Sequence, residues 1–251
     1  MTFQNSNKPN LKALAALLRL ELDDMFNSWE ASKPLRTGAP HASAILVPES
    51  EWCPRRHVLL ALHPEQARRP EAKPWDALQN AVFLHGWHLH EKYQKLFSDF
   101  ARVIEVEKSH FDETRFLHFT PDAIIQFGSY KLIVEIKGYK QETWQALDER
   151  GNPPEAAWHQ CNLYCHLLNI PYGLVLVENK NTQKVKMWAI EHDKELAQPY
   201  TRRMYEVVGG VIKAQKSGRL PARKCTAPDE PRAQKCPVRE LCFSLKNGAE
   251  I

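Results

Sequence analysis

Apolar positions at helical spacing open the chain, with Leu11, Leu14, Leu18, Leu22 and Met25 on one stripe of an amphipathic helix. A loop rich in Pro, Ser and Gly is expected over residues 31–50, then a short helix from Pro54 to about Leu62. Residues 76–101 repeat the helical pattern at greater length, through Leu78, Val82, Phe83, Leu89, Tyr93, Leu96, Phe97 and Phe100. The period then changes, and strands are expected at 103–109, 114–126 and 130–137, with a turn at Gly128-Ser129. A helix follows from about Pro154 to Leu168, and strands at 172–178 and 184–191 flank the turn Asn179-Lys180-Asn181. A basic, helix-leaning segment and a cysteine-bearing tail close the chain. Helix, three strands, helix, two strands predicts an α/β (α+β) fold, a mixed sheet flanked by helices. There are no internal repeats and no low-complexity tract.

Composition sets bounds on this picture. At 251 residues the chain suffices for one sizeable core, or for a core with a small lobe. With 43% hydrophobic and 25% charged residues it is ordinary globular material. No apolar run approaches the roughly 20 residues that cross a bilayer. The N-terminal apolar patch is broken by charges and precedes no small-residue cleavage site, so the expected location is cytoplasmic, away from membranes. The net charge of +4 is mild, but Arg202, Arg203, Lys213, Lys216, Arg219, Arg223 and Lys224 face a single acid, Glu206, within one stretch. Such a run suits a polyphosphate, because each neutralised phosphate releases counterions. A solvated helix face accounts for it equally well.

The chemistry begins in the third expected strand. Period-2 alternation puts Leu132, Val134 and Ile136 on one face, and Glu135 and Lys137 together on the other. Pro121-Asp122 lies at the boundary of the preceding strand, and a hairpin through Gly128 would bring Asp122 beside Glu135. Two carboxylates and an ammonium converging there can hold Mg²⁺ or Mn²⁺ through oxygen ligands. The metal would lower the pKa of a bound water, and the lysine would orient it or offset charge on a phosphate. A plain surface salt bridge between Glu135 and Lys137 is the competing account.

Pro121-Asp122 followed by Glu135-Ile136-Lys137 resembles the core signature of the PD-(D/E)xK nuclease superfamily. Gly86-Trp87-His88-Leu89-His90-Glu91 is similar to the G-x-x-x-H-E element of its RecB-like branch, and Gln160-Cys161-Asn162-Leu163-Tyr164 to that branch's Q-x-x-x-Y motif. The resemblance implies Lys137, Glu135 and Asp122 as catalytic residues. It implies a metal held by His90, Asp122, Glu135 and the backbone carbonyl of Ile136, with Mn²⁺ favoured by the imidazole. DNA contacts would fall to Gln160 and Tyr164, which share one helix face, and to Arg202 and Arg203. His85 and His88 stay ambiguous neighbours of His90. The branch often carries glycine two residues before the aspartate, where Thr120 stands here.

Six cysteines in a cytosolic chain point to metal ligands or buried thiols rather than disulfides. Cys225, Cys236 and Cys242 cluster in the tail and Cys53 stands far upstream, in Cys-Pro-Arg. One early and three late cysteines resemble the iron–sulfur nucleases of the RecB-like branch, among them AddB and the fourth CRISPR-associated (Cas) exonuclease family. Four thiolates there would hold a [4Fe–4S] cluster, with [2Fe–2S] or a structural zinc as alternatives. Cys161 and Cys165 read as small buried hydrophobes, or as substitutes for Cys225. The expected organisation is an amphipathic helix and loop over 1–50, a nuclease domain over 51–245 and a tail over 246–251. The domain would have a restriction-endonuclease-like mixed-sheet core. Its iron–sulfur lobe would be split between 51–75 and 200–245, joining the N- and C-terminal parts.

The function implied is a metal-dependent DNA exonuclease acting on single-stranded ends, in recombination, repair, phage DNA metabolism or CRISPR spacer processing. No Gly-x-x-x-x-Gly-Lys phosphate loop is present, so any motor would come from a helicase partner, or the ends from an integrase. A non-catalytic module that grips DNA ends and a zinc-stabilised restriction-type endonuclease are the competing readings.

Overall fold

The computed structural model describes residues 16–25, 35–68, 77–148 and 151–245. Leu11 and Leu14 of the first stripe, residues 31–34 and the 246–251 tail lie outside the described residues, as do the side chains of Leu78 and Phe83. The chain divides into two compact units, Met1–Pro34 with Lys73–Trp87, and Leu35–Ala72 with His88–Ile251. In the first unit, residues 16–25 form helix α1, where Leu18, Leu22 and Met25 are exposed.

The second unit carries the sheet. Its elements are α2 (Ala42–Ile45), α3 (Pro54–Leu62), a 3-10 turn (Pro64–Gln66) and the later part of α4 (Ala77–Phe100). Then come β1 (Arg102–Val106), β2 (His110–Asp112), β3 (Leu117–Phe119), β4 (Ala123–Phe127), β5 (Tyr130–Tyr139) and α5 (Gln141–Gln145). The chain continues through α6 (Glu155–Leu168), β6 (Tyr172–Asn179), β7 (Val185–Glu191), α7 (Lys194–Ser217), α8 (Pro231–Gln234) and α9 (Arg239–Ser244).

Five strands form one sheet in the order β1-β4-β5-β6-β7. All neighbours are antiparallel except β5 and β6, a parallel pair that needs a crossover, and α6 supplies it. The two-residue turn between β4 and β5 uses Gly128 at φ +56°, a left-handed conformation that costs glycine little. The single strand expected over 114–126 is two. Pro121 offers no N–H to a ladder, so pairing stops there. The first piece, β3, pairs instead with the three-residue β2 in a small separate sheet.

Apolar runs in β4, β5 and β6 are buried on both faces. Ile124, Ile133, Val175 and Val177 pack with Ala157, Cys161, Leu163 and Tyr164 of α6 and with Met204 and Val207 of α7. Ala123, Ile125, Val134, Ile136 and Leu176 pack on Leu89, Tyr93 and Phe97 of α4. A mixed sheet between helices is therefore what forms, as expected of a restriction-endonuclease-like core. A third core joins Val58, Leu59 and Leu60 of α3 to Ala214, Leu220, Val238 and Cys242 near the C-terminal end. Among the described residues no helix is long and apolar enough to cross a membrane.

The crossover helix lies hard against β6. A Cβ added at Gly173 would meet Cys161 Sγ at 2.5 Å and Ile190 Cγ1 at 3.0 Å. Gly173→Ala is accordingly expected to destabilise the protein by about 1–3 kcal/mol through overpacking. Equilibrium denaturant unfolding checks this, and an unchanged midpoint would contradict so close an approach.

Candidate metal and nucleic-acid site

Register alone sets three acids in a row. The β4–β5 ladder ends at Ala123 opposite Val134, and the β1–β4 ladder at Val106 opposite Ala123. One step further along these three strands stand Glu107, Asp122 and Glu135. The Glu107 N–H donates to the Asp122 carbonyl at 3.2 Å. Asp122 is tied on its other side, where Oδ2 accepts from the Ile136 N–H at 2.7 Å and its carbonyl accepts from Gln94 Nε2 at 2.9 Å. From α4, His90 brings Nδ1 to 3.6 Å from Asp122 Oδ1 and to 3.2 Å from Glu107 Oε1. Lys137 Nζ forms an ion pair with Glu135 Oε1 and lies 3.5 Å from Gln160 Oε1 on α6. Gln160 Nε2 in turn donates to the Tyr164 hydroxyl at 3.2 Å, and the fully buried Tyr164 ring stacks on Phe119.

The structure thus brings together His90, Asp122, Glu135, Lys137, Gln160 and Tyr164, from four elements far apart in sequence. Tyr164 supports Gln160 from within the core. Glu107 and Gln94 join the group without having been singled out from sequence. Their signal lies in strand register and helix packing, which local pattern does not carry.

Glu135 is the group under most stress. It is 0% exposed, and the Lys137 ammonium ion-pairs and hydrogen-bonds with Oε1. Oε2 has no hydrogen-bond partner. Burial, and then the neighbouring Asp122, push the Glu135 pKa up to about 8, with Lys137 opposing them. Burial also raises Asp122, against the pull of His90 and Lys137. Burial works against the Lys137 ammonium too, but Glu135 and Asp122 outweigh it and hold its pKa above the ordinary value. A buried carboxylate with one oxygen left unsatisfied is costly, and a second cation beside it would lower that cost. Carboxylate and imidazole donors suit Mg²⁺ or Mn²⁺, so the residues present fit such an ion. Among the described residues no three His, Cys, Asp or Glu side chains already stand as a finished metal cage. The Lys137 ammonium rests on Glu135 instead, and Asp122 and Glu107 face the same imidazole nitrogen.

A second constellation lies in the lobe that joins α3 to the tail. Cys53 precedes α3, Cys225 follows α7, Cys236 precedes α9 and Cys242 lies within it, yet all four line one cavity. Arg56, Lys224 and Arg239 line it as well, a cationic frame that would offset thiolate charge. Burial raises the Cys225 and Cys236 thiols, so metal binding there must displace protons. The four cysteines line one cavity, but among the described residues no three His, Cys, Asp or Glu side chains form a group that could hold a metal ion. Cys161 and Cys165 are fully buried in α6 against β6, apart from this group.

The basic segment divides by direction. Arg203, expected at DNA, is turned inward. Its Nη1 donates to the Ile45 and Val47 carbonyls at 2.6 Å each, and Nη2 to Glu49 at 2.7 Å, pinning α7 to the segment after α2. Arg223 likewise donates to the Cys242 and Leu245 carbonyls. Arg202, Lys213, Lys216, Arg219 and Lys224 are exposed.

No protein-family model and no curated protein sequence matches the chain. Among solved structures it is similar to a protein designated SSO0001, with 16% identity, 77% of this chain and 86% of that one covered, and a TM-score of 0.44. It is also similar to LHK-Exo in complex with dAMP, at 14% identity, with 71% and 93% covered and a TM-score of 0.48. The alkaline exonuclease LHK-Exo from Laribacter hongkongensis matches at 12% identity, with 71% and 92% covered and a TM-score of 0.46. These are likenesses of fold outline.

The cysteine lobe carries its own pH sensor. His57 on α3 stacks on Trp52 and lies 3.2 Å from an Arg56 nitrogen, and burial, then Arg56, lower its pKa to about 3. The unfolded chain takes up this proton near pH 6.5, which the folded chain refuses until about pH 3. The stability tied to neutral His57 is therefore complete above about pH 6.5 and is lost as pH falls towards 3, with a slope of up to about 1.4 kcal/mol per pH unit. Melting temperatures recorded between pH 7 and pH 4 should fall less steeply in His57→Phe.

Proposed function

We propose that the chain is a metal-dependent DNA nuclease of the PD-(D/E)xK type, hydrolysing phosphodiester bonds at single-stranded ends. The observation that carries this reading is Glu135, a fully buried carboxylate that converges with Asp122, His90 and Lys137 and whose Oε2 has no hydrogen-bond partner. A divalent cation bound by Asp122, Glu135, His90 and the Ile136 carbonyl would acidify a water and offset charge on the scissile phosphate. The chain's own groups do the rest. The Ile136 N–H fixes the Asp122 carboxylate in place. Lys137, placed in the site beside Glu135, would set its positive charge against charge developing on the phosphate. Gln160, braced by Tyr164, holds the far side of that ammonium. Exposed Arg202, Lys213, Lys216 and Arg219 offer phosphate contacts along α7 and just beyond it.

Cys53, Cys225, Cys236 and Cys242 would hold a [4Fe–4S] cluster, whose role is to tie the tail to α3. Zinc is the alternative the same four sulfurs allow. A pure end-binding module is the weaker account, since it would not need a buried, cation-seeking Glu135 with a lysine held against it.

Digestion of end-labelled single-stranded DNA with Mn²⁺ or Mg²⁺ tests the enzyme. Lys137→Ala should lower the cleavage rate by about 100-fold or more. No metal-dependent cleavage by anaerobically purified wild type would leave the binding module standing. Absorbance near about 400 nm, lost in Cys236→Ser, is expected of the cluster. A colourless protein containing zinc would replace iron–sulfur with the zinc alternative.

A further inference from the structure

Three neighbouring strands deliver three acids to one line, and the mechanism above uses two of them. The third, Glu107, follows β1 and sits beside Asp122, its N–H on the Asp122 carbonyl at 3.2 Å. Its neighbour two positions earlier shows what an ordinary surface acid looks like here, since Glu105 is taken by Lys108 and His110, each at 2.8 Å. Glu107 has no such cation. Among the described residues its ion-pair partner is His90, through the same Nδ1 that faces Asp122 Oδ1.

One imidazole N–H serves two carboxylates only through a shared, weakened bond. Here Glu107 Oε1 lies 3.2 Å and Asp122 Oδ1 3.6 Å from the same nitrogen, the second beyond hydrogen-bond length, so Asp122 Oδ1 is poorly served. Next along the row, the completely buried Glu135 presents Oε2 without a hydrogen-bond partner. Both mismatches vanish when a divalent cation takes the shared position, because it accepts all of these lone pairs together. The Glu107 side chain, 38% exposed, also gives the position a solvent-facing edge through which a hydrated ion can enter.

We infer that Glu107 is itself a ligand of the active-site cation, making the protein's donor set three carboxylates, one imidazole and the Ile136 carbonyl. This rests on the metal-dependent reading above. It adds a residue outside the motif that suggested that reading, supplied by the β1–β4 register. Mn²⁺ is the natural probe, since its free and bound forms are counted by electron paramagnetic resonance and a bound histidine nitrogen leaves a modulation in the pulsed spectrum.

In Glu107→Gln, Mn²⁺ affinity is expected to fall by about 10-fold or more, while the histidine modulation of the bound ion persists. Unchanged affinity would overturn the inference and leave the metal-dependent reading intact. Loss of affinity together with the histidine modulation would also overturn it, because Glu107 would then act only by positioning His90. Wild-type protein that binds no Mn²⁺ would remove both this inference and the metal-dependent reading.

Discussion

The Glu135 carboxylate is completely buried, with the Lys137 ammonium on Oε1 and no hydrogen-bond partner for Oε2, and much of the surrounding structure is arranged around that fact. In an apolar interior such a group must take a proton, pair with a cation or leave. It cannot leave, because Val134 and Ile136 on either side of it are locked into the core on α4 and Ile133 into the core on α6. The ion pair with Lys137 and the raised pKa are the two partial answers the protein alone can give. A divalent cation, as proposed, would be the complete one.

Much of what makes that position rigid is hydrophobic. The central strand is covered on both faces, and the parallel β5–β6 pair is closed by a helix pressed so tightly that position 173 has no room for a methyl group. Packing of this density fixes side-chain positions to fractions of an ångström, which a site built from four separate elements requires. The cysteine lobe solves a different problem. Its small core joins α3, α7 and α9, and four cysteines line one cavity there.

Much of this was legible in the sequence because it depends on short-range pattern. The short helix from Pro54 to Leu62 begins at a proline suited to the first helical turn and was readable to the residue. The approach of Asp122 to Glu135 follows from a two-residue turn and pleat alternation, both local. What escaped depends on distant partners. Arg203 looks like its exposed neighbour Arg202 until α7 docks on a segment that reads as loop but contains α2, whose free carbonyls capture the guanidinium. Glu107 escaped because its place is set by an irregularity between Val103 and Glu105 that shifts the β1–β4 register, and no residue type announces it.

The most direct measurement is anomalous diffraction at the manganese edge from crystals of the protein grown with Mn²⁺. A peak is predicted within bonding distance of Asp122, Glu135 and the Ile136 carbonyl, with the Lys137 ammonium moved off the Glu135 oxygen. Crystals with no peak there, and with Lys137 still resting on a buried Glu135, would contradict the account.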